Sequence, residues 1–333
     1  MSASAGHVHA TPGDTADVLV RSADLAMYAA KRLGKGRSMR YDPGMHVDAL
    51  TRLELKADLE RARPAGELSL RYQPIVALTD GRVVAVEALA RWNHPRHGPV
   101  PPAEFIPLAE ESGLIVELGR WAIQEACDQL VRWRAAYPGA SGLGLSVNLS
   151  ARQLGHEPLV DEVAAILAGT GIEPSDLTLE VTESLAVGGS GTPLATIHAL
   201  KALGVRIGLD DFGTGHSSLG NLQRIPVDML KLDRTFVDGL GGSPDGTALT
   251  RSVLALAGTV AREVVAEGIE TAEQLTVLQA LGCPLGQGYH LARPLGPEEV
   301  GAMLAAGEPV ISGVRRPGAM RAGGPPAAPA APR

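Results

Sequence analysis

Polar residues that can bind cations or move protons recur at the ends of short apolar stretches in this sequence. Most are carboxylates, and two side-chain amides and one lysine join them: Glu87, Asn148, Glu180, Asp210, Asp211, Lys231, Glu267 and Gln287. Any single one has an ordinary explanation as a solvated residue or the cap of a following helix. The series indicates one shared site, because buried carboxylates need partners that offset their desolvation.

The donor atoms of this series are carboxylate and amide oxygens, with no thiolate and no required imidazole. Hard oxygen donors favour Mg²⁺ or Mn²⁺ over zinc or copper. Several carboxylates with room for two ions suggest a two-metal site, where the ions polarise a phosphate and generate hydroxide from water near neutral pH. Lys231 suits a point charge that meets a phosphate oxygen or an attacking water. The alternative is a structural lysine paired with a barrel carboxylate, and the two roles are compatible.

Two strand-like runs, LSLRYQPIVAL and RVVAVEALARW, flank the sequence Thr79-Asp80-Gly81. Asp-Gly between such runs predicts a hairpin, so these strands should be antiparallel neighbours. Strands are then predicted at 143–148, 177–183, 205–211, 227–233, 264–268 and 285–289. Helices are predicted near 103–112, 114–135, 156–168, 192–203, 246–262, 271–281 and 297–306.

Eight strands that mostly alternate with helices predict an α/β fold, a modified TIM (β/α)8 barrel with an antiparallel first strand. The polar series then falls at the carboxyl ends of the strands, where barrel enzymes carry their reactive groups. An open doubly wound sheet is the structural alternative, but the Gly-rich phosphate loop that often accompanies it is missing. The sequence also lacks a Gly-x-Ser-x-Gly elbow and a His-Glu-x-x-His motif.

The chain is predicted to have three parts. Residues 1–45 begin irregularly and then contain a helical stretch, residues 46–308 form the barrel, and residues 309–333 form a disordered Pro/Ala/Gly tail that cannot bury enough apolar surface. At the start of the barrel part, helical spacing places Leu50, Leu53 and Ala57 on one face.

Composition excludes several classes of protein. The net charge of −7 argues against a bulk nucleic-acid binder, although bound metal can supply positive charge for a small phosphorylated ligand. The two cysteines, Cys127 and Cys283, are far apart and read as buried free thiols of a reducing compartment. The first residues lack the pattern of a signal peptide, and no stretch approaches the roughly 18 apolar residues of a membrane span. We therefore expect a cytoplasmic protein.

Nine segments in order carry a resemblance to a known family over residues 50–305. They are RYQPIV (71–76), VEALARW (86–92), HPRHGPVPPAEFIPLAEESGLI (94–115), SVNLSARQL (146–154), LEVTES (179–184), DDFGTGHSSL (210–219), LKLDRTFV (230–237), AEGIE (266–270) and GQGYHLARPL (286–295). The series resembles the EAL family of cyclic-di-GMP phosphodiesterases. The resemblance implies a metal-dependent enzyme that hydrolyses cyclic di-GMP to linear pGpG.

The resemblance also implies a role for each residue of the site. The metal ligands would be Glu87, Asn148, Glu180, Asp210, Asp211 and Glu267. Lys231 would orient the nucleophilic water or the phosphate, and Glu267 would also belong to the water site. Gln73, Arg91 and Gln287 would contact the ligand. Glu183 would hold the loop after the fifth barrel strand, DDFGTGHSS, which in this family also reaches the interface of a homodimer.

The stretch VLVRSADLAMYAAKRLGKGRSMRYDP resembles the last helix and strand of a GGDEF diguanylate cyclase domain. The Gly-Gly-Asp-Glu-Phe motif itself is absent, and a half-domain this short cannot bury its own core, so we expect no cyclase activity. Two interpretations remain: a truncated product, or an assigned start downstream of the real one. Two alternatives for function also remain open, a non-catalytic EAL module that acts as a receptor or interaction domain, and a phosphodiesterase for another nucleotide.

Overall fold

A computed structural model of the chain describes residues 3–32, 34, 36–183, 192–213, 225–241 and 244–311. The chain divides into two compact units, Met1–Ser69 with Arg91–Leu114 and Leu70–Ala90 with Ile115–Arg333. In the described residues the strands are β1 (Ala5–His7), β2 (Ser38–Arg40), β3 (Leu68–Ala77), β4 (Val83–His94), β5 (Gly98–Val100), β6 (Gly144–Asn148), β7 (Leu177–Thr182), β8 (Arg206–Phe212), β9 (Met229–Leu232), β10 (Glu263–Ala266) and β11 (Leu285–Gly286). The α-helices are α1 (Ala16–Arg32), α2 (Gly44–Ala62), α3 (Pro102–Ser112), α4 (Ile115–Ala136), α5 (Ala151–Leu154), α6 (Leu159–Thr170), α7 (Thr192–Ala202), α8 (Arg234–Asp238), α9 (Pro244–Val260), α10 (Ala272–Ala280) and α11 (Pro297–Ala306).

Eight strands form a closed barrel in the order β3-β11-β10-β9-β8-β7-β6-β4, and pairing of β3 with β4 completes the ring. Each strand from β4 to β11 in this ring is parallel to the next one, whereas β3, which closes the ring, runs antiparallel to β11. The predicted modified (β/α)8 barrel with a reversed first strand is confirmed.

The reversal begins at the Asp-Gly turn between β3 and β4. The amide of Ala77 donates to the carbonyl of Arg82 at 2.8 Å, and the Asp80 carboxylate accepts from the Arg82 amide at 3.1 Å. Gly81 has φ of 73°, in the left-handed region that glycine adopts without steric cost. The turn sends the chain back beside β3 and thereby sets the direction of the seven strands that follow.

Apolar contacts between helices and strands stabilise the barrel. Helix α4 contacts β6 and α6, and the buried cluster includes Leu130, Leu145 and Leu179. Burial of one such leucine contributes roughly 1.5–3 kcal/mol. The middle residues of these strands therefore pack in the core, and the strand ends can carry polar side chains.

In the first unit, β1 and β2 form a parallel pair, and α1 contacts both strands. Gly6 allows this packing, because a Cβ there would lie 2.0 Å from the carbonyl oxygen of Ala23 on α1. The sequence predicts an irregular start in this region, whereas the structure has the strand β1 there. Three residues are too few for a periodic pattern to reveal a strand.

The buried face of helix α2 is not the face that carries Leu50, Leu53 and Ala57. Leu50 and Leu53 are 54% and 71% exposed, whereas Leu55, Leu59 and Ala62 are buried. Both sets satisfy helical spacing, and the contacts of α2 with α1 and α3 select the second.

Among the helices of the described part of the chain, none has the length and apolar character needed to cross a membrane.

Candidate active site

Lys231 lies on β9 with its ammonium group surrounded by carboxylates at the carboxyl ends of the barrel strands. Its Nζ lies 2.7 Å from Glu267 Oε1, 2.8 Å from Glu180 Oε2, 3.1 Å from Glu87 Oε2 and 3.6 Å from Asp210 Oδ1. The lysine side chain is only 1% exposed. Four acidic groups from four different strands or strand ends therefore share one buried cation.

Strand register explains how these residues meet. Asn148 is paired with Glu180 between β6 and β7, and Thr182 is paired with Asp210 between β7 and β8. Parallel neighbours in register bring their carboxyl ends to one side of the barrel. Gly208 makes room beside Glu180, because a Cβ there would lie 3.0 Å from Glu180 Cγ.

Glu87 is held by three side-chain donors. Asn148 Nδ2 donates to its Oε1 at 2.7 Å, and Gln287 Nε2 and Lys231 Nζ donate to its Oε2 at 2.8 and 3.1 Å. Burial disfavours the ionised form, but Lys231 and the amide donors outweigh it and hold the pKa of Glu87 below its usual range. Glu87 is therefore the ionised partner of Lys231.

The other carboxylates experience the opposite balance. Burial raises the pKa of Glu180 to about 8, against the attraction of Lys231 and with added repulsion from Glu87 and Asp210. Burial likewise raises the pKa of Glu267 to about 7. For Lys231, burial opposes the charge, but the surrounding carboxylates outweigh it and raise its pKa. One ammonium cannot keep all these acids ionised at neutral pH, so the site calls for additional positive charge.

Asp210, Asp211 and Glu267 each offer an oxygen, and these oxygens all lie within 4.8 Å of one another. Asp211 has φ of 56°, the one positive φ at a non-glycine residue in the described part of the chain. Such a conformation is costly outside glycine and is often found at functional sites. It occurs where β8 departs from regular pairing, between Leu209 and Phe212.

The donor set fits divalent metal ions. Glu180 Oε1 and Gln287 Oε1 are buried and have no hydrogen-bond partner among the described residues. A buried oxygen without a hydrogen-bond partner lowers the stability of the fold unless another group, such as a cation, contacts it. Together with the three-carboxylate cluster, these oxygens are suitable ligands for a hard cation.

Glu183 lies just beyond β7 and is buried. Its Oε2 accepts a hydrogen bond from the amide of Gly213 at 2.8 Å, so the carboxylate contacts the residue where the loop after β8 begins. Gly213 has φ of 98° and lies against the ring of Phe236. Residues 214–224 of the loop lie outside the described residues.

The predicted ligand-contacting residues are placed as follows. Gln73 and Gln287 line a cleft of about 350 Å³ together with Glu87, Asp210, Asp211, Lys231 and Glu267. Gln73 Nε2 donates to the carbonyl of Ala292 at 3.1 Å, which fixes its amide at the cleft wall. Arg91 follows on β4 in the first unit and is partly buried.

The cleft also includes residues that the sequence reasoning did not assign to the site. Asp233, Arg234, Glu270 and Tyr289 line it. The position of Asp233 and Arg234, directly after β9, is a signal that would have found them, because the rule for strand ends applies equally to the first loop residues. Tyr289 is stacked with Arg293, whose guanidinium carbon lies 4.5 Å from the ring centre.

The site is an acidic cleft around a buried lysine at the carboxyl ends of a (β/α)8 barrel, and similarity to known proteins places a chain with this fold and site in one family. The sequence model of the EAL domain matches residues 56–294. The chain belongs to the EAL domain family.

The bifunctional diguanylate cyclase/cyclic di-GMP phosphodiesterase MucR of Pseudomonas aeruginosa is 43% identical over 296 residues, which are 88% of this chain and 43% of that protein. The cyclic di-GMP phosphodiesterase NbdA of the same organism is 38% identical over 296 residues, 89% of this chain and 38% of that protein. A solved structure, the PaMucR phosphodiesterase in complex with c-di-GMP, is 44% identical with a TM-score of 0.70, and the match covers 74% of this chain and 99% of that one. The chain thus spans less than half the length of these two curated relatives.

Proposed function

We propose that this chain hydrolyses cyclic di-GMP to linear pGpG with the help of divalent metal, and so lowers the level of this second messenger. The observation that carries the proposal is the convergence of Glu87, Glu180, Asp210 and Glu267 on one buried lysine at the open end of the barrel. The names of MucR and NbdA, which are cyclic di-GMP phosphodiesterases, support the choice of substrate.

The proposed metal is Mg²⁺ or Mn²⁺, in a two-metal site. Its ligands would be Glu87, Asn148, Glu180, Asp210, Asp211 and Glu267. When bound, such ions polarise a phosphodiester and make a water molecule acidic enough to attack near neutral pH. The unpartnered oxygen of Glu180 and the cluster of Asp210, Asp211 and Glu267 support this assignment.

The remaining roles belong to the chain itself. Lys231 holds the carboxylates in place and orients the water or the phosphate, while Glu267 acts beside it at the water site. Gln73, Arg91 and Gln287 bind the ligand. Glu183 keeps the loop after β8 in its productive shape through the amide of Gly213, a contact of 2.8 Å.

Hydrolysis is favoured over a receptor that binds without turnover, because every carboxylate of the site is present. The test is incubation of purified protein with cyclic di-GMP and Mg²⁺ or Mn²⁺, with separation of products by chromatography and EDTA as control. Metal-dependent formation of pGpG is the expected result. Glu87→Gln is the matched inactive variant, since it keeps the side-chain shape and removes the charge that faces Lys231. Binding without turnover in the wild type would identify a receptor instead.

The limits of the domains form a further part of the proposal, with a GGDEF remnant at 1–45, the phosphodiesterase barrel at 46–308 and a tail at 309–333. The match to the bifunctional MucR supports the remnant, because it covers 296 residues, whereas the EAL match of 56–294 covers 239. A cytoplasmic location is supported by two buried free cysteines. Homodimer formation through the loop after β8 is proposed from the family resemblance, and light scattering of the purified protein tests it.

A further inference from the structure

Positive charge is scarce in the cleft. Of the described residues that line it, Lys231 and Arg234 are the ones that carry a positive side chain, and they face the carboxylates of Asp211, Asp233 and Glu270. A ligand with more than one phosphate would enter an acidic surface. Each phosphate therefore needs a cation, either a bound metal ion or a side chain.

Lys231 belongs to the reaction site and its carboxylates, so it is not available to a second phosphate. Its ammonium contacts three carboxylates within 3.1 Å and is almost inaccessible to solvent. Arg234 differs, since its side chain is 63% exposed and forms, within the described part of the chain, an ion pair with the exposed Asp238 at 3.4 Å. An exposed pair of this kind, four residues apart on a helix, stabilises little, so a ligand can replace it at small cost.

The backbone and Cβ of Arg234 are nevertheless fixed by their neighbours. Arg234 is the first residue of α8, and the preceding Asp233 caps that helix by accepting a hydrogen bond from the Thr235 amide at 2.9 Å. On its other side lies Gly268, where an added Cβ would lie 2.6 Å from Arg234 Cβ. Gly268 directly follows Glu267, so the arginine stem is packed against the loop that carries a site carboxylate while its guanidinium remains free to turn.

We propose that, of the two phosphates of the ligand, Arg234 binds the one that is not hydrolysed. The inference rests on the proposed function, because a cyclic dinucleotide carries two phosphodiesters and the acidic cluster can serve only one of them. The planar guanidinium matches two phosphate oxygens at once, and it stays charged at every relevant pH. Arg234 is then a determinant of specificity for substrates with two phosphates.

The test compares two substrates in the Arg234→Met variant. Cyclic di-GMP has a second phosphate, and bis(p-nitrophenyl) phosphate has none. We expect KM for cyclic di-GMP to rise about 10–100-fold, the range for one charged hydrogen-bonded contact, with kcat changed little. KM for bis(p-nitrophenyl) phosphate should stay within about twofold of the wild type, because the missing contact plays no part there. Arg234→Lys, which keeps the charge and loses the fork, should be intermediate.

Arg132→Met is the matched control, since Arg132 is an exposed arginine on α4 that pairs with Glu125 at 2.7 Å. It removes the same charge away from the cleft and should leave both substrates unchanged. An unchanged KM for cyclic di-GMP in Arg234→Met overturns the inference and leaves the proposed function intact. Equal loss with both substrates also overturns it, because the arginine would then act on the reacting phosphate or on the metal site.

Failure of the proposed function gives a different result. If the wild type turns over neither substrate, calorimetric binding of cyclic di-GMP in the presence of Ca²⁺ replaces kinetics. A dissociation constant that is about 10–100-fold higher in Arg234→Met than in the wild type supports the inference for a binding module. Equal dissociation constants, or no binding by the wild type, overturn it.

Discussion

At the residue scale, Lys231 is the centre of the site because it is the one buried cation that four carboxylates contact in the described part of the chain. Lysine rather than arginine fits this position. An ammonium is compact and can meet oxygens that converge from several directions, whereas a planar fork matches one carboxylate. The pKa values of Glu87 and Glu180 shift in opposite directions. Burial acts to raise both, but Lys231 and two amide donors outweigh it at Glu87, whereas at Glu180 burial prevails and the acidic neighbours Glu87 and Asp210 add to the rise.

Lys231→Met should destabilise the metal-free protein by about 3–5 kcal/mol, because it leaves buried carboxylates without their cation. Urea unfolding in EDTA measures the change. Added Mn²⁺ should restore more stability to this variant than to the wild type, since the ion takes over part of the missing charge. Equal stabilities of the two proteins in EDTA would show that the carboxylates do not depend on Lys231.

At the element scale, the barrel strands place the site by leaving space as well as by supplying side chains. Gly208 on β8 lies next to Glu180 on β7, and an alanine Cβ would come within 3.0 Å of Glu180 Cγ and 3.2 Å of Thr178 Cγ2. Such distances require the neighbouring groups to move. Because Glu180 is held at 2.8 Å from Lys231, that movement disturbs the site directly.

Gly208→Ala is therefore expected to lower kcat for cyclic di-GMP about 10–100-fold, the range seen when groups that support metal ligands are altered. Its unfolding midpoint should change far less than that of Lys231→Met. Gly258→Ala on α9 is the control, as its added Cβ meets nothing within 4 Å. Wild-type kinetics in Gly208→Ala would mean that Glu180 tolerates displacement.

In the first unit, a buried histidine connects α2 to the β4–β5 turn. His94 Nδ1 accepts from the amides of Arg96 and His97, so its Nε2 carries the proton and donates to Asp58 at 3.1 Å. Hydrogen bonds from Arg96 and His94 hold the pKa of Asp58 below its usual 3.8. Ionised Asp58 thus stabilises the folded state above about pH 4, and this contribution disappears as pH falls through the lowered pKa.

Asp58→Asn should lower the melting temperature near pH 7, and the difference from wild type should shrink below about pH 4, where Asp58 also becomes protonated. Thermal scans across this range measure the effect. Glu60→Gln, which removes a carboxylate from the same helix, serves as the control. A difference that stays constant with pH would assign the effect to packing rather than to charge.

At the scale of the whole molecule, the acidic cleft opposes the folded state until cations neutralise it. Mn²⁺ or Mg²⁺ should raise the melting temperature, since a ligand at 100 times its dissociation constant adds about 2.7 kcal/mol. For a chain of this size that corresponds to a few degrees. EDTA should reverse the shift, and Glu87→Gln should reduce it. No shift with either ion, together with no binding heat, would remove the metal from the proposal.

The direction of the first strand and the set of polar strand ends could be predicted from the amino-acid sequence, because both depend on local patterns. The Asp-Gly turn reverses the chain within the five residues between Ala77 and Val83, and alternation of strands with helices sends the carboxyl ends of the other seven barrel strands to the same side. The polar series was therefore predictable as a cluster, along with its preference for hard cations.

The contacts between individual members of that cluster could not be predicted in this way, because they depend on how distant elements pack together. Lys231 and Glu87 are 144 residues apart in sequence, and Lys231 and Glu180 are 51 apart, so no local pattern encodes their distance. The same holds for α2, where two sets of apolar residues share the helical period and the neighbouring helices select which is buried. Local sequence sets the period and direction of each element, whereas packing between distant elements decides which side chains meet.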